Sequence, residues 1–314
     1  MPVMKAFGLL LCLSAAVAAA DIRLGIIGTD TSHVAAFTKI LNDASAPRHI
    51  PGAKVVAAYK GGSPDVVSSY TRVDKFAEGL QKQWNVEIVA DIPTLCQKVD
   101  GILLESVDGR VHLEQAKQVI AARKPLFIDK PLASTYEDAR EIARLAKEAG
   151  VPWFSSSSLR FGDIATMMKF PDATGVITWG PGPTEPHHYL DLSWYAIHPV
   201  EGLFTLMGPG CEEVTRMSAA SMDIVSCRWK DGRTGTVYSL RKSDSYGAVV
   251  FRPKETVQSR PDMDFSYEAL VREIVKFFQT GVPPVSNEET LEIFAFMDAA
   301  QRSKAAGGAP MKLR

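Results

Sequence analysis

Two residues of this sequence stand out as carriers of a proton. Lys130 closes an apolar run, Leu126-Phe127-Ile128, followed by Asp129. An ammonium packed against a fold and close to other cations has a depressed pKa, so it can accept a proton or face a developing oxyanion. A lone lysine at a strand end is otherwise a surface residue. His198 titrates near neutrality, although a histidine between apolar residues more often serves the core or a helix cap. Tyr195 and Glu201 stand three residues to either side, the spacing that puts all three on one helix face. Pro199 argues that this helix begins at about His198, which leaves Tyr195 in the preceding loop. His187 and His188 follow a proline-rich stretch, 180–186, suited to lining a pocket. No carboxylate or cysteine stands at ligand spacing from them, so no metal is expected.

The elements that must position these residues alternate. Short apolar runs at Ile22–Gly28, Lys54–Tyr59, Val86–Val89, Gly101–Leu104, Pro125–Ile128 and Val151–Phe154 read as six strands. Helical spacing follows at Val34–Leu41, Val73–Trp84, Val111–Ala122 and Thr135–Ala149, the last ended by Gly150. Such alternation predicts an α/β fold whose N-terminal part, residues 21–155, is a Rossmann-type doubly wound parallel sheet. Residues 156–314 are expected to form a second, α+β domain. Its strands at 174–179, 213–217, 222–230, 234–241 and 246–251 have the spacing of a mainly antiparallel sheet.

Ligands of a doubly wound sheet bind beyond the carboxyl ends of its strands. Four loops fall there. The first, Gly28-Thr29-Asp30-Thr31-Ser32-His33, keeps only the first glycine of a G-x-G-x-x-G dinucleotide fingerprint. Asp30, Thr31 or Ser32 could instead cap the helix, and Asp30 brings negative charge near a phosphate. The second, Tyr59-Lys60-Gly61-Gly62-Ser63, has no acid to hold a ribose hydroxyl. Lys60 and Ser63 suit a 2'-phosphate better, which places NADP slightly ahead of NAD; the alternative is a solvated turn. Glu105 and Ser106 open the third loop, and Asp129 with Lys130 open the fourth.

Composition narrows the class. The 314 residues are 46% hydrophobic and 23% charged with a formal net charge of −1, which offers nucleic acid no basic face. Residues 1–20 read as a signal peptide: Lys5, an apolar run to Val17, and Ala18-Ala19-Ala20 before a cleavage site. The chain is therefore expected in the periplasm or outside the cell, with no membrane contact after cleavage. No twin arginine is present, so the chain crosses unfolded and must meet any dinucleotide afterwards. Cys96, Cys211 and Cys227 remain in the mature chain; the odd count favours three buried thiols, with a Cys211–Cys227 bridge the alternative.

The stretch Asp129-Lys130-Pro131-Leu132-Ala133 resembles the E-K-P-L-A signature of the Gfo/Idh/MocA oxidoreductases, with Asp in place of Glu. Upstream, Asp100-Gly101-Ile102-Leu103-Leu104 and His112 resemble that family's fourth strand and the histidine opening its next helix. Downstream, Arg160-Phe161 resembles its R-F element, and Tyr195–Glu201 its D-x-G-x-H-x-x-D segment. The resemblance implies an NAD(P)-dependent oxidoreductase of a sugar, polyol or sugar acid. It makes Lys130 and His198 the proton-transfer residues. Residues 28–33, Lys60, Ser63, Glu105, Ser106, His112 and Asp129 become cofactor contacts. Arg160, His188, Trp194, Tyr195 and Glu201 become substrate contacts. It also implies a homo-oligomer formed through the C-terminal sheet. Trp194 replaces the family's acid four residues before the histidine and is suited to pack on a sugar ring. Two other readings share the fold: a glycosidase or lyase using bound NAD for transient oxidation, and a carbohydrate-binding protein without cofactor.

Overall fold

In the computed structural model the described residues are 20–314. The signal-peptide reading therefore lies, except for Ala20, outside them. Sheet A is built from β1 Ile22–Ile27, β2 Ala53–Tyr59, β3 Glu87–Val89, β4 Gly101–Leu104, β5 Leu126–Asp129 and β6 Trp153–Ser156. Its order is β3-β2-β1-β4-β5-β6 with every pair parallel. The chain leaves β1 toward β2 on one side and β4 lies on the other, so the strand order reverses between β1 and β4, where such sheets open a crevice. The crossovers carry helices α1 Ser32–Asn42, α2 Val67–Tyr70, α3 Val73–Trp84, α4 Ile92–Lys98, α5 His112–Ala121 and α6 Tyr136–Ala149. Helices α2 and α4 were not legible as elements. For α4 the signal was present: the Asp91 side chain accepts from Thr94 N–H, with Pro93 in the first turn.

Alternation along the strands divides the core in two. Leu24, Ile26, Leu103, Phe127 and Phe154 face Val34, Phe37 and Leu41 of α1. Ile27, Ile102, Leu104, Leu126, Ile128 and Trp153 face α4, α5 and α6. The second half of the chain contributes α7 Asp163–Met167, α8 Asp191–Trp194, α9 Ile197–Met207, α10 Glu268–Thr280 and α11 Asn287–Ala305. Of these, α10 returns to sheet A, where Leu270, Val271, Ile274 and Phe277 complete the face begun by α1. Sheet A thus needs a helix from the C-terminal half to be covered on both sides.

Sheet B contains β7 Gly175–Pro181, β8 Cys211–Ser218, β9 Met222–Trp229, β10 Thr234–Leu240, β11 Gly247–Phe251, β12 Thr256–Gln258 and β13 Met311–Lys312. The order is β12-β11-β7-β10-β9-β8-β13, antiparallel except for β7 with β10. Its inner face, including Val176, Val214, Val225 and Val237, packs with Phe204 of α9 and Phe296 of α11 in one core cluster.

The three-thiol expectation is overturned at β8 and β9. These strands pair antiparallel and bring Cys211 to a Cα–Cα distance of 6.1 Å from Cys227, and the two form a disulfide. Among the described residues Cys96 alone remains a thiol, on the buried side of α4. Parity could not show this, because the odd residue is simply excluded from the sheet. The bridge closes a loop of 16 residues; a loop of that size contributes about 3 kcal/mol through the unfolded chain. Urea unfolding of the Cys211→Ser, Cys227→Ser variant is expected to show a stability loss of about that size, and an unchanged midpoint would contradict it.

Candidate active site

The carboxyl ends of β1 and β5 point at a cavity of about 260 Å³ whose walls include Thr31, Ser32, His33, Arg72, Lys130, Trp194, Tyr195, His198, Tyr246 and Tyr267. Lys130 arrives at the end of β5. Its Nζ lies 5.4 Å from the centre of the Tyr195 ring. Burial pushes the Lys130 ammonium below the usual lysine range, with Arg72 adding to the effect and Asp129 opposing it. His198 comes from the first turn of α9, with Tyr195 in the loop before it. The Tyr195 and His198 rings meet edge to face at 5.4 Å, so Tyr195 stands between the two proton carriers. Ser157 Oγ lies 2.7 Å from His198 Nδ1. Burial, then the neighbouring Lys130 and His33, drive His198 well below its ordinary pKa.

His33 enters from the first turn of α1, where Thr31 caps the helix. Its Nδ1 is 2.5 Å from Asp129 Oδ2. Burial alone would raise the Asp129 carboxyl, but the neighbouring His33, together with Lys130, holds it down. The β1 and β5 loops are thereby tied to each other across the floor of the cavity.

Residues 22–156 match the family described as "Oxidoreductase family, NAD-binding Rossmann fold", Gfo/Idh/MocA. This stretch is a Gfo/Idh/MocA oxidoreductase domain. Among curated proteins, inositol 2-dehydrogenase of Klebsiella pneumoniae is 32% identical over 135 residues, 41% of this chain and 34% of that protein. The 1,5-anhydro-D-fructose reductase of Ensifer adhaerens is 42% identical over 62 residues, 20% of this chain and 18% of that protein. The aligned stretches thus span about a third or less of these relatives. Solved structures match across nearly the whole chain. GenD2 from gentamicin A biosynthesis, in complex with NAD, gives a TM-score of 0.75 at 16% identity over 98% of this chain and 100% of that one. The myo-inositol dehydrogenase of Lactobacillus casei, in complex with NAD(H) and myo-inositol, gives 0.72 at 17% identity over 94% and 97%. At these identities the likeness is one of fold.

The fold brings together only part of the set expected from sequence. Thr31, Ser32, His33, Lys130, Trp194, Tyr195 and His198 line one cavity. Arg160 and Glu201 do not line it. Arg160 Nε donates to Glu201 at 2.6 Å and Nη1 donates to Glu289 at 2.6 Å, behind α9. They are a buried ion cluster, because the R-F turn directs the guanidinium between α9 and α11 rather than toward the strand ends. His188 is likewise buried, 3.1 Å from Asp108 and edge-on to Trp194 at 4.9 Å. It backs the Trp194 wall instead of touching the cavity. Arg72, Tyr246 and Tyr267 were missed; no local motif marks them, since each reaches the cavity through a long connection.

The fit of a dinucleotide to this domain is divided. Beside Lys130, the aromatic walls and the hydroxyls of Thr31 and Ser32 suit the nicotinamide end. Toward β2 the loops are tied to one another by close packing and hydrogen bonds. Gly28, with φ +88, packs so closely that a Cβ there would stand 2.4 Å from Ser106. Asp30, at the second fingerprint position, accepts from Val107 N–H at 3.0 Å and from Ser69 Oγ at 2.5 Å. Thr29 donates through its N–H to Lys60 O and through its hydroxyl to Val73 O. Ser63 donates to Asp108, and His112 is braced between Ser106 O and Leu132 O. Lys60 is half-exposed and its ammonium pairs with Asp74. Glu105 is fully buried, neither oxygen has a partner among the described residues, and burial next to Asp129 and Asp30 pushes its carboxyl far up. A diphosphate in this crevice would lie close to the buried Asp30 side chain, held by Ser69 and Val107.

Proposed function

We propose that this chain is an oxidoreductase of a CH–OH group on a small carbohydrate, a sugar, polyol or sugar acid, held in the Lys130 cavity. The observation that carries the reading is the convergence of Lys130, Tyr195 and His198 on one cavity at the strand ends. NAD(P), held at its nicotinamide end by Thr31, Ser32 and Lys130, would supply the hydride acceptor. Lys130 steadies the oxygen from which the proton departs, and the lone pair of a neutral His198 offers that proton a place to go. Trp194 and Tyr195 offer flat faces to the apolar side of a sugar ring. The relatives named for an inositol and an anhydro-sugar point to the same substrate class.

A second reading, a carbohydrate-binding protein that works without cofactor, is favoured by one observation: a buried acid, Asp30, stands at the second fingerprint position, held by Ser69 and Val107. Calorimetry with NAD and NADP, on protein shown to be free of dinucleotide, separates the two. Like charges about 4 Å apart repel by about 4 kcal/mol at the effective dielectric of a protein surface. Asp30→Gly is therefore expected to tighten dinucleotide binding by at least about tenfold. No heat with either wild type or Asp30→Gly puts the cofactor-free reading in front. NADP is proposed as the slightly preferred form through Lys60, so Lys60→Ala is expected to erase that preference.

We extend the reading to assembly and location. The outer face of sheet B carries Ile224, Tyr238 and Trp179 in register across three strands, with Met217 69% exposed, and supports a homo-oligomer formed there. The Cys211–Cys227 disulfide supports work in an oxidising, exported location. We also propose a domain boundary at 155/156, with α10 packing back on sheet A.

A further inference from the structure

We propose that His33, backed by Asp129, is a second proton acceptor of the cavity, whose Nε2 takes the proton from a hydroxyl of the bound carbohydrate. The inference rests on the carbohydrate reading above for its substrate, and on geometry for the residue. His33 stands at the third fingerprint position, where a dinucleotide motif has glycine, and its side chain reaches the cavity wall. Its ring is fixed on three sides. Phe37 stacks on it at 5.4 Å, Tyr267 leans on it at 4.7 Å, and Nδ1 meets Asp129 at 2.5 Å. Among the described residues nothing bonds Nε2, so this nitrogen is left for a ligand of the cavity.

A carboxylate on Nδ1 fixes the tautomer. Nδ1 carries the hydrogen and donates it to Asp129, and Nε2 keeps its lone pair toward the cavity. In the step the substrate O–H bond breaks and an Nε2–H bond forms. The imidazolium is balanced by Asp129, and the alkoxide is left facing Lys130. His198 has no such support: its Nδ1 meets a serine hydroxyl, and burial opposes its protonation. The acid missing at Trp194 is thereby replaced from a different strand end, by a carboxylate acting through an imidazole.

Two measurements on the full mature chain need no substrate. Long-range 15N–1H correlation spectra are expected to show His33 with hydrogen on Nδ1 and a bare Nε2. Asp129→Asn, whose amide donates instead, should reverse this. Diethylpyrocarbonate attacks a bare imidazole nitrogen, and peptide mass spectrometry is expected to find His33 carbethoxylated at least about tenfold more slowly in Asp129→Asn. Hydrogen found on Nε2 in the wild type, or equal reactivity in both proteins, overturns the proposal. For any sugar or polyol the wild type turns over, His33→Gln should lower kcat by about 10²–10³-fold, and an unchanged kcat overturns it as well. Failure of every carbohydrate tried would count against the function proposed above while the spectra still decide the state of His33.

Discussion

Lys130→Met is expected to abolish turnover while leaving dinucleotide affinity within a few fold. Methionine keeps an unbranched stem of similar length, so the packing over Tyr195 survives and only the ammonium is lost. The ammonium is enclosed at the end of β5 and faces the cavity, where it can stabilise an oxygen that gains charge. Positioned acid–base groups contribute about 10²–10⁴-fold in rate, so the loss should be plain in kcat. The fold should not suffer, because burial already disfavours the charged lysine. Full activity in Lys130→Met, with wild-type thermal stability, would remove Lys130 from the chemistry.

Glu201→Ala is expected to act on stability rather than on substrate. Arg160 is 8% exposed and held between Glu201 and Glu289, with Nη2 unpartnered among the described residues. Removing Glu201 leaves Arg160 paired with Glu289 alone and strips the buried Nε of its acceptor, which costs about 1–3 kcal/mol. Glu201→Gln retains one hydrogen bond to Arg160 Nε and should lie between the alanine variant and wild type. Urea unfolding measures both. A stability change under about 1 kcal/mol for the alanine variant, or a rise in KM without loss of stability, would show that the family-derived role was right and the structural one wrong.

Much of the architecture was legible because each strand of sheet A is an apolar run punctuated by a turn or capping residue. Gly101–Leu104 was recognisable even at four residues, since a parallel strand buried on both faces has no polar alternation to blur it. The long helices showed a 3.6-residue period, and Gly150 does close α6 with φ 64. Tertiary pairings were not legible. Nothing local to Glu201 reveals Arg160, 41 residues away, or Glu289 beyond it. The same holds for Asp30 and Ser69, which meet only because α2 folds back over the β1 loop. The Lys130 side of the cavity carried a motif. Its Tyr246 and Tyr267 walls carried none.

Trp194 gives the molecule an optical property. Its indole is half-buried in the cavity wall and lies edge-on to His188, while Trp153 and Trp229 are each 1% exposed in the core. A ligand that displaces water from the cavity changes the polarity around Trp194 and leaves those two core tryptophans as they were. Emission wavelength is then a built-in gauge of occupancy, read without label, cofactor or turnover. Compound libraries can be ranked by fluorescence before any reaction is known, with the buried indoles as the internal reference.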